Sequence, residues 1–134
     1  MKLLSLLFFH VYVWILILAG ALGIFTATID HRILFHLQLE TLAPVTMASL
    51  VSQYRFLRAV EFGFGVFAFV FRKEIFESTL FNRLFLSIMF LGVMARVVSI
   101  VVDGHPLPVF YVFLIFELVG GIVIFLYTRR RLRT

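Results

Sequence analysis

Four residues in this chain carry charge where charge is costly. Arg58, Glu61, Arg96 and Glu117 each interrupt a long apolar run. Ionisable side chains inside a membrane span usually face the interior of a helix bundle or a water-filled cavity. Two kinds of chemistry follow. Arginines can hold an anionic or carbonyl group of a ligand. A desolvated carboxylate can act as acid or base. A structural reading stands beside both. Arg58 and Glu61, at i and i+3, can pair on one helix, and Arg96 and Glu117 can pair between neighbours, locking helices in register. Desolvation offsets much of the attraction of such pairs, so two arginines and two carboxylates kept in so short a chain speak equally for binding or proton handling.

Helical periodicity predicts that these residues face inward. At 100° per residue, Tyr54, Arg58, Glu61, Gly65 and Ala68 share one stripe. Gly92, Arg96, Ser99 and Asp103 form a second. Glu117, Gly120, Gly121 and Thr128 lie broadly on one side of a third segment. Ser5, Tyr12, Ala19, Gly23, Thr26 and Asp30 do so on the first. Small residues let membrane helices approach closely, so these stripes are the expected packed interior. Depth follows from the 1.5 Å rise per residue. Arg58 and Arg96 fall roughly 8–10 Å below the outer helix ends, and Glu61 and Glu117 about 12–14 Å below them. The expected site is an Arg/Glu cluster open to the outer side, rimmed by Asp30, Arg55, Ser99 and Asp103.

The elements that must carry this cluster are written in the composition. Of 134 residues, 63% are hydrophobic and only 14% charged, against about 45–50% and about 25% in a soluble domain. The mean hydropathy of +1.11 points the same way. A bilayer core of about 30 Å takes roughly 20 apolar residues per span, and this length suits four spans with short connections. The expected fold is an all-α integral membrane four-helix bundle, one domain over 1–134. Its spans run over about 3–27, 53–71, 84–102 and 108–127, with an outer loop over 28–52. Arg72-Lys73 closes the second span, Asp103-Gly104-His105-Pro106 turns after the third, and Arg129-Arg130-Arg131 stops the fourth. Pro108 suits the first turn of a helix, where its missing N–H costs little.

Charge asymmetry sets orientation. One side receives Lys2, Arg72, Lys73, Arg83, Arg129, Arg130, Arg131 and Arg133, and the other only Arg32. By the positive-inside rule both termini are cytoplasmic, in a multi-pass protein of the inner (cytoplasmic) membrane. The net charge of +5 is thereby assigned to orientation, with no nucleic-acid partner expected. The segment 33–42 mixes Ile, Leu and Phe with His36, Gln38 and Glu40, and reads as a short helix on the outer membrane surface or as a loop.

Other chemistries are thinly represented. There is no cysteine, which excludes disulfides, thiolate metal sites and thiol catalysis. His31, His36 and His105 lie on the outer side near Asp30, Glu40 and Asp103. Only His36 and Glu40 have a ligand-like spacing, so no metal and no cofactor is expected. His10 falls opposite the polar stripe of the first span, facing lipid or a partner protein. Gly63 and Gly65 lie inside an apolar span and read as packing glycines.

The series Leu57-Arg58-Ala59, Gly92-x-x-x-Arg96-x-x-Ser99, Asp103-Gly104-x-Pro106 and Glu117-Leu118 resembles a bacterial family of small four-helix membrane proteins catalogued only as a domain of unknown function. The resemblance covers nearly the whole chain and is strongest over 84–126. It implies the four-helix fold and carries no activity.

Three functions fit these residues. The first is binding of a small amphipathic or lipid-like ligand entering from the outer leaflet. Arg58 and Arg96 would hold its polar group, Glu61 and Glu117 would balance them, and Phe62, Phe110 and Phe113 would supply an apolar wall. The second is an isomerase-like membrane enzyme shuttling a proton on Glu61 or Glu117. The third is an accessory subunit of a larger membrane complex or a homo-oligomer, contacting partners through His10, Trp14 and the Phe-rich faces.

Overall fold

The computed structural model describes residues 1–132, and every regular element in them is helical. In chain order they are α1 (Lys2–Leu34), a 3-10 turn (Leu39–Thr41), α2 (Pro44–Val70), α3 (Arg72–Glu77), α4 (Thr79–Val102) and α5 (Pro108–Arg131). Arg133, counted above among the basic residues, lies outside the described residues. Three helices, α1, α4 and α5, are long and apolar enough to cross a membrane. They fit a membrane protein. The remaining long helix, α2, has 27 residues but carries Arg55, Arg58 and Glu61, which dilute its apolar character.

The helices outrun the segments read from hydropathy. α1 continues past residue 27 to Leu34 because its polar residues find partners along the helix. Thr26 Oγ1 donates to Asp30 Oδ1 at 3.1 Å, and His31 Nδ1–H donates to the Ala27 carbonyl at 2.7 Å. The helix ends where His36 turns left-handed, at φ 53°, and the Leu37 N–H closes back on the His31 carbonyl at 3.0 Å. The left-handed residue just past a helix end is most often glycine, and here His36 takes that place. The short surface helix expected over 33–42 is therefore absent as such. Its first residues extend α1, and only Leu39–Thr41 form a 3-10 turn. Leu39 is buried with Ala27, Val51 and Tyr54, and Leu37 and Leu42 pack alongside. Apolar burial thus folds this segment back on the protein. Likewise α3 occupies what reads in sequence as a charged stop, with Ile75 and Phe76 buried.

The chain forms two compact units, residues 13–67 and residues 1–12 with 68–134. In the first, the α1 and α2 stretches meet with their backbones nearly touching. A Cβ on Gly20 would stand 2.6 Å from Phe62 N and 2.8 Å from Arg58 O, and one on Gly65 would stand 3.0 Å from Ile17 N. These two positions require glycine for the approach itself.

In the second unit, the start of α1 packs with α3, α4 and α5. Phe9 meets Phe76 and Phe85 with ring centroids 5.1 and 5.3 Å apart, and Ile75, Met89 and Ile124 are fully buried. Asn82 ties three helices: its Nδ2 donates to the Ile75 carbonyl at 2.9 Å, and its Oδ1 accepts from Thr128 Oγ1 at 3.2 Å. That last bond fixes the antiparallel register of α4 and α5, which are joined by the turn at Gly104 (φ 101°). Pro108 occupies the first turn of α5.

Candidate functional site

Each unit holds one charged network, and each is built by helical spacing. In residues 13–67 the network is a chain of four side chains. Asp30 Oδ2 accepts from the Tyr54 hydroxyl at 2.8 Å, that hydroxyl accepts from Arg58 Nη2 at 2.5 Å, and Arg58 Nη1 donates to Glu61 Oε2 at 2.7 Å. Tyr54, Arg58 and Glu61 stand one turn apart on α2, so 3.6-residue periodicity stacks them. Asp30 reaches them from α1. The guanidinium also sits 4.8 Å from the Tyr54 ring centre, and His31 meets the same ring edge-on at 4.8 Å. A Cβ on Gly23 would fall 2.6–2.7 Å from Arg58 Cδ, Cγ and Nε. The arginine stem therefore lies against the bare backbone of α1. Its Nε is buried without a hydrogen-bond partner.

In the other unit, Arg96 of α4 grips Glu117 of α5 with two bonds, Nε to Oε2 at 3.0 Å and Nη2 to Oε1 at 3.3 Å. This two-toothed geometry is the strong form of the arginine–carboxylate contact. Arg96 also lies 5.8 Å from the Phe113 ring centre. The two ion pairs differ in which partner is open: side-chain exposure is 32% for Arg96 and 14% for Glu117, against 17% for Arg58 and 27% for Glu61. A Cβ on Gly92 would meet only Glu117 Oε2, at 3.9 Å, and Gly92 is exposed, so the pair borders the surface of α4 and α5.

The other residues singled out in the sequence are distributed as follows. Asp30 belongs to the α1–α2 network. Ser99 and Asp103 bond each other at 2.9 Å on the exposed end of α4. Arg55 is exposed. On the first span's stripe Ser5, Tyr12 and Gly23 are buried, with Ser5 Oγ lacking a hydrogen-bond partner. His10 is exposed and donates to the Leu6 carbonyl at 2.7 Å, and His105 shares a 2.7 Å hydrogen bond with Tyr111. Glu40, spaced as a partner for His36, instead pairs with Arg32 at 2.6 Å. A backbone hydrogen bond at its own position, and then the Arg32 contact, hold the Glu40 carboxyl below its ordinary range. Among the described residues no three His, Asp or Glu side chains gather as a metal would require. Tyr54 is the member of the network that the choice of charged residues alone passes over, although its place four residues before Arg58 signals it.

Described residues whose regular elements are all helical, with three long apolar helices and one charged pair between two of them, fit a membrane protein. The chain belongs to the family described as Domain of unknown function (DUF4345), which matches residues 5–128. No curated protein and no solved structure matches it.

Proposed function

We propose that this is a four-pass protein of the cytoplasmic membrane, with both ends inside, that binds a small amphipathic or lipid-like ligand from the outer side at the Arg96–Glu117 pair. The fourth pass is α2. Its 27 residues span about 40 Å, more than the roughly 30 Å of a hydrocarbon core. Two of its three charges, Arg58 and Glu61, neutralise each other.

The observation that carries the binding assignment is that the arginine is the more open partner of the Arg96–Glu117 pair, whereas in the Arg58–Glu61 pair the arginine is the more covered one. Arg58 is packed against Gly23, which suits a lock between α1 and α2. Arg96 is partly open, beside the exposed Gly92 and against Phe113. A carbonyl or anionic group approaching there meets a guanidinium whose outer face is available, with an aromatic wall for its apolar part. Proton shuttling on Glu117 draws less support, because both of its oxygens are already engaged by Arg96.

Solvent extraction of the purified protein, followed by mass spectrometry of the small molecules released, tests the proposal. One amphipathic compound should be retained by the native chain. Its retention should fall about tenfold or more in Arg96→Gln, as expected for losing a hydrogen bond to a charged group. It should fall as well in Gly92→Phe, which crowds the pair and keeps the charges. Equal retention by all three proteins, or no retained compound, overturns the assignment.

A further inference from the structure

A second place in the molecule has the chemistry of a ligand site, at the opposite end of the same two helices. Between α4 and α5 runs a groove of about 900 Å³, within the roughly 300–1,000 Å³ of small-molecule sites. Its walls change character along its length. At the end near the chain's C-terminus it is lined by Thr79, Arg83 and Arg129. Further in it is lined by Leu86, Phe90, Leu91, Met94 and Phe125.

The Asn82–Thr128 hydrogen bond sets residues 82 and 128 level on antiparallel helices. Arg83 and Arg129 then stand only about 3 Å apart along the helix axis. Both are exposed, and neither makes a hydrogen bond or ion pair among the described residues. Two uncompensated guanidinium groups at the same level form a receptor for one phosphate. From Arg83 to Met94 the helix rises about 16 Å, close to half of a hydrocarbon core about 30 Å thick, which is the length of one leaflet's acyl layer.

We propose that this groove binds an anionic phospholipid of the leaflet on the basic side of the protein. Its phosphate lies between Arg83 and Arg129, and an acyl chain lies along Leu86, Phe90 and Met94. The argument for this occupant is charge complementarity at one end combined with an apolar trough of one-leaflet length. A water-soluble anion would leave that trough unused. A zwitterionic lipid would bring a cationic group towards two arginines. The site is separate from the Arg96–Glu117 pair and does not depend on its assignment.

The test is native mass spectrometry of the full chain in neutral detergent, with equal amounts of phosphatidylglycerol and phosphatidylcholine of matched acyl length. Basic residues near an anionic lipid surface favour the anionic lipid by about fivefold each. The native chain should therefore retain phosphatidylglycerol over phosphatidylcholine by roughly that factor or more. Arg83→Gln with Arg129→Gln should bring the ratio near one, and the lysine versions should keep most of it. Ser87→Phe, which obstructs the groove beside Arg83, should lower retention of both lipids. Arg130→Gln, a basic residue at the same end that does not line the groove, and Gly92→Phe should leave the ratio unchanged.

The proposal is overturned if native protein shows no preference, or if Arg130→Gln erases it as fully as the groove arginines do. It is also overturned if inorganic phosphate alone displaces phosphatidylglycerol. These variants alter exposed side chains, and a native-like thermal midpoint for each keeps loss of binding distinct from loss of fold.

Discussion

Cutting the Arg96–Glu117 pair in three ways should give three unequal losses of stability. Each partner holds the other with two bonds, at 3.0 and 3.3 Å. Removing one partner of a fully buried ion pair costs about 3–5 kcal/mol, because the other charge is stranded; this pair is part-buried, so its losses fall at or below the lower end of that range. Glu117 is the deeper group, 14% exposed against 32% for Arg96. Arg96→Leu, which strands the carboxylate, should therefore cost the most, about 3 kcal/mol. Glu117→Leu strands a partly open guanidinium and should cost about 2 kcal/mol. Glu117→Gln keeps a carbonyl acceptor for Arg96 and should cost about 1 kcal/mol. The double variant Arg96→Leu/Glu117→Leu strands nothing and should lie within about 1 kcal/mol of native. The assay is thermal unfolding in one detergent. A chain of this size shifts by about 4 °C per kcal/mol, so the expected losses are roughly 12, 8, 4 and 4 °C or less. Additive losses in the double variant, or equal midpoints for Glu117→Gln and Glu117→Leu, would refute a coupled buried pair.

Two further expectations concern backbone geometry. Gly20→Ala forces a methyl within 2.6–2.9 Å of the α2 backbone and should cost about 1–3 kcal/mol by overpacking, whereas Gly63→Ala meets nothing within 4 Å and should be neutral or slightly stabilising; thermal midpoints of the two variants check this. His36→Gly relieves a left-handed conformation (φ 53°) and should raise the unfolding midpoint by the equivalent of about 1 kcal/mol; an unchanged or lowered midpoint counts against strain at that position.

Much of this architecture could be read from spacing. The stripe Tyr54, Arg58, Glu61, Gly65 and Ala68 is buried or half-buried while most of α2 is exposed, because a helical period leaves a polar residue no other way inward. The Arg96–Glu117 contact is legible too. A tight turn over 103–107 makes α4 and α5 antiparallel, and Arg96 and Glu117, seven and ten residues from that turn, fall within one helical turn of each other, in reach of two long side chains. The third-span stripe was less informative: Gly92, Ser99 and Asp103 are exposed, since a small or polar residue marks an interior face only where a neighbour comes close enough to use it. Helix ends were the least legible. Hydropathy stops where polar residues begin, yet Thr26 bonds Asp30 and His31 bonds the Ala27 carbonyl along α1, and the backbone continues. The six residues of α3 hide behind Arg72-Lys73-Glu74, and only burial of Ile75 and Phe76 reveals them. Three helices pass as membrane spans on apolar content alone. α2 does not, because local hydropathy cannot register that Arg58 is neutralised by Glu61 and bridged through Tyr54 to Asp30.

Whether α2 crosses the bilayer is therefore the question on which the account turns, and the chain offers a clean way to ask it. It contains no cysteine, so a single introduced thiol reports on one position alone. Thr41→Cys precedes α2, Ser78→Cys follows it, and His105→Cys lies between α4 and α5. Treated on intact cells with a membrane-impermeant maleimide, Thr41→Cys and His105→Cys should label at once, and Ser78→Cys only after the membrane is opened. Labelling of Thr41→Cys and Ser78→Cys from the same side would mean that α2 does not cross, and would contradict the four-pass arrangement and the outward-facing site built on it.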